Sequence, residues 1–492
     1  MYNISINEKE LNFKCLEKKI YKTVCDIACS VFKDVLEKMD LMLMAKRDQK
    51  QYRNKGFRKK QVHTVMGTVE YTRRIYQTKD ENGKSHHIYL LDEYLENETI
   101  GKVSTNLAEK VVERALEESY RKTAQAVESM TNENLSHTTV WNIVQRVGDK
   151  LEEQDQEKMA RYEQGKLNGE REVKVLFQEA DGIWLNMQGE DRPKSGKSRK
   201  KELKLAVNYE GWKKREGQKD GYVVHNKTAC AGFYDSKTFN KLWDATVAEK
   251  YNVDEIDTRI INGDGDPWIK SSLGEEGVHF QLDPFHVSKA IIKGVPDKKQ
   301  ASKLKKMFRK GKVEEGFEYL AQLLVEYSGD EDKFDKLEKL YNYLSNNHAG
   351  LVPYLLRDMK LPELQEGLEY RNLGTMEHNV CDIIALRMKG RKMSWSVKGA
   401  TNLANLLTAR ASGILYDKLD GLFDDTISDD KLEEMVEIVQ LSAAQANRKV
   451  GTGKVHKIHN SPMPYEGQSL TEGRKAIRSL VENRVASDLV YR

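Results

Sequence analysis

Cysteine is scarce in this chain. The five that occur, Cys15, Cys25, Cys29, Cys230 and Cys381, are scattered and include no C-x-x-C pair. An odd, dispersed set excludes a disulfide framework and offers no structural zinc spacing. Long apolar runs are also missing. Nothing approaches the eighteen consecutive apolar residues of a membrane span. The opening Met1–Glu10 is polar and mixed, without the basic-then-apolar layout of a secretory leader. A cytoplasmic protein with no membrane partner is expected. Internal repeats and long low-complexity tracts are absent too. Net charge is small, at +4, so an argument for nucleic acid has to come from where the charges lie.

They lie unevenly. Basic residues crowd at Lys46–Lys60, Arg192–Lys204, Lys298–Lys312 and Arg387–Lys392. Singly, such runs are solvated faces. Together, each beside one of the motifs below, they read as phosphate-binding surfaces, and Lys298–Lys312 as a phosphate track. The 492 residues, 39% hydrophobic and 32% charged, suit a globular chain of two to four cores.

Six segments follow from the change of period along the chain. Residues 1–100 read as an N-terminal helix plus a small β-element, with turns at Met66-Gly67 and Asn82-Gly83. Residues 101–170 read as helical. Within them Tyr120–Met130 and Thr138–Val147 are short helices across a polar turn, with Ser136 as N-cap of the second. That pattern predicts either a helix-turn-helix or a plain helical hairpin. In the first case His137, Thr138, Asn142, Gln145 and Arg146 form the outward set that reaches bases or phosphates.

Residues 171–295 carry strand signals at Val173–Met187, Leu203–Tyr209, Tyr222–Tyr234, Arg259–Asn262 and Val278–Leu282. A helix is predicted over Lys237–Lys250, and another begins at Trp268–Leu273. Three meandering strands followed by helix, strand, helix and strand is the order of a ribonuclease-H-like α/β core. Residues 296–370 predict an all-helical insertion and 371–415 the last part of the core. Residues 416–492 predict a helical region over Asp417–Ala446 and a basic tail.

Three carboxylates stand out. Asp181 sits in an apolar strand, where a charge is costly to bury unless it coordinates or pairs. Asp264 ends the fourth strand in Gly263-Asp264-Gly265-Asp266, whose glycines permit close backbone approach. Glu377 lies early on a helix with Cys381, Ile384 and Met388 on the same side. Each has a plainer alternative, as a turn former, a helix cap or a first-turn acid. Asp266 competes with Asp264, and Glu363, Glu366 and Glu369 lie just upstream of Glu377.

The surroundings of Asp181, the turn Gly263-Asp264-Gly265-Asp266-Pro267-Trp268 and the stretch Leu282-Asp283-Pro284-Phe285-His286-Val287 resemble those of bacterial insertion-sequence transposases. The type is DDE, close to the Mutator-like transposases. Gly374-Thr375-Met376-Glu377-His378-Asn379, with Arg387-Met388-Lys389 and Ser394-Trp395-Ser396, resembles the last block of that family. The resemblance covers roughly residues 10 to 465.

It implies that Asp181, Asp264 and Glu377 bind two Mg2+ (or Mn2+) ions per site, for hydrolysis of phosphodiesters and strand transfer. His286 would stand near the scissile phosphate, or serve structure. Arg387, Lys389, Arg391 and Lys392 would neutralise DNA backbone charge, and Trp395 would wedge into the duplex or fill a core. The implied partner is double-stranded DNA, the element's terminal repeats and the target, bound by at least a dimer. Two rival expectations remain: a ribonuclease-H-like nuclease without strand transfer, and a non-catalytic DNA-binding protein derived from a transposase.

Overall fold

The computed structural model describes residues 12–80, 83–95, 99–194, 199–218, 221–271, 273–390, 392–422, 436–444, 471 and 475. The chain divides into two compact units, one of residues 1–111, 120–140 and 423–492, the other of residues 112–119 and 141–422.

The first unit opens with α1 (Phe13–Lys46), whose first turn is capped by the Asn12 side chain accepting from the Cys15 N–H. The hairpin β1 (Arg53–Thr64) and β2 (Gly67–Lys79) turns at Gly67, where φ is 129°. β3 (Ser85–Ile88), α2 (Leu90–Tyr94), β4 (Thr99–Ile100) and β5 (Val103–Ser104) follow, giving a sheet of order β3-β2-β1-β5-β4. Val62, Val69 and Tyr71 face Val35, Leu36 and Met39 of α1 in the core. Buried Asp40 accepts from the Arg74 guanidinium and backbone N–H. β1 starts nine residues before its first buried side chain, Val62, because Arg53–Gln61 buries no side chain and is held by its ladder to β2.

α3 (Thr105–Ala115) and α4 (Tyr120–Met130) precede α5 (His137–Glu163). Ser136 caps α5, its hydroxyl accepting from the Thr139 N–H at 3.0 Å. The second short helix expected from the sequence is thus the start of one 27-residue helix. Gly148 follows Val147 where a C-cap would fall, but it does not take the left-handed φ of a cap and stays within the helix, packed against Asn402.

The second unit is built on β6 (Val175–Asn186) and β7 (Lys200–Tyr209). The short strands β8 (Trp212–Lys214) and β9 (Tyr222–Val224) come next, then β10 (Thr228–Gly232). After α6 (Ser236–Lys250) come β11 (Thr258–Gly263) and β12 (Val278–Leu282). The main sheet has the order β10-β7-β6-β11-β12. β6 and β10 pair antiparallel with β7, whereas β6, β11 and β12 run parallel. From Val175 to Asp181 every residue of β6 is buried, as expected of a central strand covered on both faces.

Two expectations fail locally. The third strand is not continuous over Tyr222–Tyr234. It breaks at Asn226, which takes φ 52° and donates its side-chain amide to both carboxylate oxygens of Glu210 at 3.0 Å. Asn tolerates this left-handed conformation better than most residues. The segment after Pro267 is a series of i,i+3 turns (Ile269 N–H to Asp266, Lys270 to Pro267, Leu273 to Lys270) and not a helix.

The insertion follows as α7 (Pro284–Gly294), α8 (Lys298–Arg309), α9 (Val313–Glu326) and α10 (Glu331–Ser345). It is not wholly helical. It closes through β13 (Leu368–Glu369), which joins β8 and β9 in a second small sheet. Two residues are too few to leave a period in the sequence. Leu304, Phe308, Leu320, Leu337 and Leu340 of the insertion share one hydrophobic core with Leu176, Phe239, Ile261 and Phe280. The helices therefore extend the core of the sheet and do not form a separate domain.

The chain then forms α11 (Met376–Asn379), a π-helical turn (Val380–Ala385), α12 (Leu386–Met388), α13 (Val397–Ala411) and α14 (Leu415–Leu422). Residues 436–444 are helical. Half of the expected Asp417–Ala446 helix, and nearly all of the expected basic tail beyond it, lie outside the described residues. Among the described residues no helix is long and apolar enough to cross a membrane.

α13 is buried along its length and crosses α5 at Gly148, where a Cβ would stand 2.8 Å from the Asn402 Cα. Asn402 donates to the Gln145 carbonyl and side chain at 3.1 Å and to Asp149 at 2.8 Å. Gly148→Ala is expected to force this crossing apart and lower stability by about 1–3 kcal/mol. Urea unfolding checks it; an unchanged midpoint would mean the helices separate without strain.

Candidate functional site

The carboxyl ends of the parallel strands and the start of α11 converge in the second unit. Asp181 is only 9% exposed and accepts from the Gly182 N–H at 2.7 Å. β11 ends at Gly263, whose Cβ would lie 2.8 Å from two methyl carbons of Ile269. Asp264 follows at once and accepts from the Asp266 N–H at 3.0 Å. Gly265 takes φ 96° with the Asn347 side chain beside it, and a Cβ at this position would stand 2.8 Å from the Asn347 Cγ, so no other residue fits there without strain. The insertion supports the same turn: the Tyr343 hydroxyl of α10 donates to the Asp264 carbonyl at 2.9 Å.

β12 ends beside this turn. Asp283 caps α7 by accepting from the Phe285 N–H at 2.6 Å, and Pro284 fills the first turn. That places His286 with its Nε2 3.6 Å from Asp181 Oδ2. Glu377 comes from α11. Ligand atoms of Asp181, His286 and Glu377 all lie within 4.8 Å of one another. The closest grouping thus holds two members of the sequence-predicted triad plus His286. Asp264 is not part of that close group but shares its field. Burial raises its carboxyl above the ordinary range, the charges of Asp266 and Asp181 add to this, and His286 opposes it.

Two acids that the sequence reading passed over complete the surroundings. Glu202 of β7 lies across Gly182, where a Cβ would meet its Cδ at 2.7 Å. Burial raises its carboxyl; Lys204 opposes the rise, and Asp266, Asp264 and Asp181 increase it. Glu179 is wholly buried, two residues before Asp181 on β6. It accepts from the Tyr209 hydroxyl (2.5 Å), the Thr375 hydroxyl (2.5 Å) and Asn262 Nδ2 (2.7 Å). The backbone N–H groups of Gly374, Thr375 and Met376 also point at it, at 3.1–3.3 Å. Burial pushes this carboxyl up while the hydrogen bonds to it pull the other way. The Asn262 amide and the three backbone N–H groups can only donate, which suits the ionised form, and that charge also complements the N-terminus of α11. Glu179 is therefore what ties the Glu377 helix to the Asp181 strand. The signal was available: an acid two residues from Asp181 in an apolar strand shares its face.

The donor set fits a hard divalent cation. The charges of Asp181 and Asp266 raise the proton affinity of Asp264, and those of all three raise that of Glu202; a cation relieves this field, and carboxylate oxygens are the donors that Mg2+ and Mn2+ take. Asp181, Glu377 and His286 present three ligand atoms close enough for one ion.

His286 itself is raised above its usual value, first by the approach of the Asp181 carboxylate, against burial, and further by the charges of Asp283 and Asp264. A raised histidine stabilises the fold fully below its unfolded pKa of about 6.5 and loses that contribution as pH rises through the folded value. In metal-free protein, the stability gap between the parent chain and His286→Asn should shrink as pH rises through that window. A gap independent of pH would show that the imidazole does not hold its proton against Asp181.

The DNA-contact set divides. His137, Thr138, Asn142 and Arg146 are exposed on α5, and Lys389 and Lys392 are exposed beyond α12. Gln145 and Arg387 are structural, which corrects the expectation for those two. Gln145 is 7% exposed and held by Asn402. Arg387 is 5% exposed, donates to the Ala115 carbonyl at 2.7 Å and lies over the Trp395 ring. Trp395 is buried, its indole N–H donates to the Met388 carbonyl at 2.8 Å, and its backbone bonds Asn186 and Gln188 beside the end of β6. The core alternative for Trp395 therefore holds. Arg391 lies outside the described residues.

Fold and site together describe a mixed α/β protein with an acidic centre, suited to a divalent cation, at the ends of its parallel strands. The chain belongs to the UPF0236 family: the model of that family, described as an uncharacterised protein family, matches residues 6–420. It is similar to a UPF0236 protein of Caldanaerobacter subterraneus subsp. tengcongensis whose name joins eleven locus designations. The two are 24% identical over 411 residues, which cover 82% of this chain and 79% of the relative. It is also similar to the "UPF0236 protein in vanSb 3'region" of Streptococcus gallolyticus, 23% identical over 405 residues, with 81% and 83% covered.

Proposed function

We propose that the chain is a DNA transposase of the DDE type with a ribonuclease-H-like core. The observation that carries this reading is the placement of three acids on the sheet of order β10-β7-β6-β11-β12. Asp181 comes from the central strand, Asp264 follows the neighbouring parallel strand, and Glu377 comes from a later helix that approaches Asp181. Carboxylates delivered from separate elements to one point suit phosphodiester chemistry, which needs charge neutralised at attacking and leaving oxygens.

Asp181 and Glu377, with His286, would hold one ion, and Asp264 would share a second with Asp181. Bound Mg2+ or Mn2+ would supply Lewis-acid stabilisation of the developing negative charge. The chain's own groups do the rest. Glu179 fixes the start of the Glu377 helix, and Tyr343 with Gly265 fixes the Asp264 turn. Without an ion, protonated His286 puts positive charge beside Asp181; as a ligand its imidazole would be neutral. Exposed Lys389 and Lys392 are candidates for neutralising the DNA backbone, and His137, Thr138, Asn142 and Arg146 for reading the element's ends.

Joining two ends in one event calls for at least two copies of the chain on DNA. The eleven loci gathered under one relative's name also support the reading, because an element that copies itself leaves many loci for one product.

The test supplies the chain with Mg2+ or Mn2+, DNA bearing the repeats that flank its gene, and a target duplex. Cut ends bearing 3′ hydroxyls that become joined to the target are expected. Cutting without joining would replace the reading with a nuclease, and specific binding without cutting would replace it with a non-catalytic DNA-binding protein.

A further inference from the structure

We infer that α8 is a docking surface for the phosphate backbone of duplex DNA, distinct from the acidic centre; the choice of DNA as occupant rests on the function proposed above. The helix has two opposed faces. Ala301, Leu304 and Phe308 are buried in the core of the second unit. On the outer side Lys299, Lys303, Lys306 and Lys310 recur at steps of four, three and four, and all four are exposed. These steps put the lysines in one row along the helix, facing a shallow groove of about 450 Å3.

The row is not an ion-pair network. Among the described residues no carboxylate lies within salt-bridge distance of any of the four; in this groove only Lys312 is so paired, with Glu315. Lys303 instead lies over the Tyr319 ring, at 4.0 Å. Surface helices usually interleave acids and bases at these spacings. α8 carries no acid at all within Lys298–Arg309. Four like charges without carboxylate partners repel one another, and that repulsion is relieved by a polymer of regularly spaced anions.

The dimensions agree. The eleven steps from Lys299 to Lys310, the C-cap of α8, rise roughly 16 Å, a length over which duplex DNA carries about ten phosphate charges. A row of flexible ammonium groups positions a backbone without reading bases, so the surface is indifferent to sequence. Lysine, a compact point charge on a long stem, suits that task.

The test measures binding of the full chain to a duplex that lacks the flanking repeats, in chelator so that no cutting occurs, across a salt series. The parent chain is compared with a variant carrying Lys299→Gln, Lys303→Gln, Lys306→Gln and Lys310→Gln. Glutamine keeps a helix propensity close to that of lysine. The slope of log affinity against log salt should become shallower by about 3–4, since each phosphate contact contributes about 0.9. Lys306→Gln alone should change it by about 1. A charge-matched control with Lys213, Lys214, Lys336 and Lys339, exposed elsewhere on the unit, changed to Gln should keep the parent slope.

Equal slopes for parent and α8 variant, or an equal loss in the control, would overturn the inference. So would tighter α8-dependent binding to an RNA duplex than to DNA. Cutting is measured separately with metal restored: stripe-dependent DNA binding by a chain that never cuts would sink the proposed function and leave this surface standing.

Discussion

Asp181→Asn should bind duplex DNA as tightly as the parent chain and cut it about a thousandfold more slowly or worse, a rise of about 4 kcal/mol in the barrier. The substitution is nearly isosteric. The asparagine carbonyl can still accept from the Gly182 N–H, which Asp181 now does at 2.7 Å. The backbone ladder to β7, with Asp181 opposite Leu205, does not involve the side chain. What disappears is one negative charge at the point where His286 and Glu377 also converge. A neutral amide is a poor ligand for a hard cation, so the loss falls on metal binding and transition-state charge and not on folding. The measurement is single-turnover cleavage at saturating protein, with calorimetric titration of Mn2+ alongside. A variant that cuts at the parent rate would remove Asp181 from the chemistry. One that loses cutting but keeps Mn2+ affinity would place the ion on other residues.

Glu179→Ala should be the most destabilising single change near the site, costing about 3 kcal/mol or more. The alanine leaves the Tyr209 hydroxyl, the Asn262 amide and the N–H groups of Gly374, Thr375 and Met376 facing a hole. Each buried donor without a partner costs about 1–3 kcal/mol. Glu179→Gln should cost less. The Tyr209 and Thr375 hydroxyls can rotate and accept from the new amide, while the remaining carbonyl oxygen still faces Asn262 and the backbone. Denaturant unfolding of the three proteins gives the order parent, Gln, Ala. Because Glu179 holds the start of α11, the Gln variant should also lose cutting through misplacement of Glu377. An alanine variant as stable as the parent would mean that α11 keeps its place without this carboxylate.

Several parts of the fold were legible because a local cause fixed them. β6 reads as a strand from the apolar run around Asp181, and α6 from its amphipathic period. Ser136 announced the start of α5 because a hydroxyl there can take a free N–H of the first turn. Other parts left no period to read. The break at Asn226 depends on Glu210, sixteen residues away in sequence. β13 is two residues long and exists only because β8 lies beside it. Gln145, Arg387 and Trp395 carry the chemistry of DNA contacts in sequence, but partners far along the chain take them out of solvent: Asn402, Ala115 and the end of β6.

The sequence by itself determined many of the local elements and nominated Asp181, Asp264 and Glu377, since an acid in an apolar strand, glycines after a strand and an acid at a helix start are short-range signals; His286 followed from the family resemblance alone. Only the tertiary structure decided which of them meet. It brought His286 into the close group with Asp181 and Glu377 and left Asp264 at its margin. It also showed Glu179 joining residues 195 to 197 positions apart. The physical reason is range. Period and capping act over a few residues, whereas the burial and charge that define a site are set by packing between distant ones.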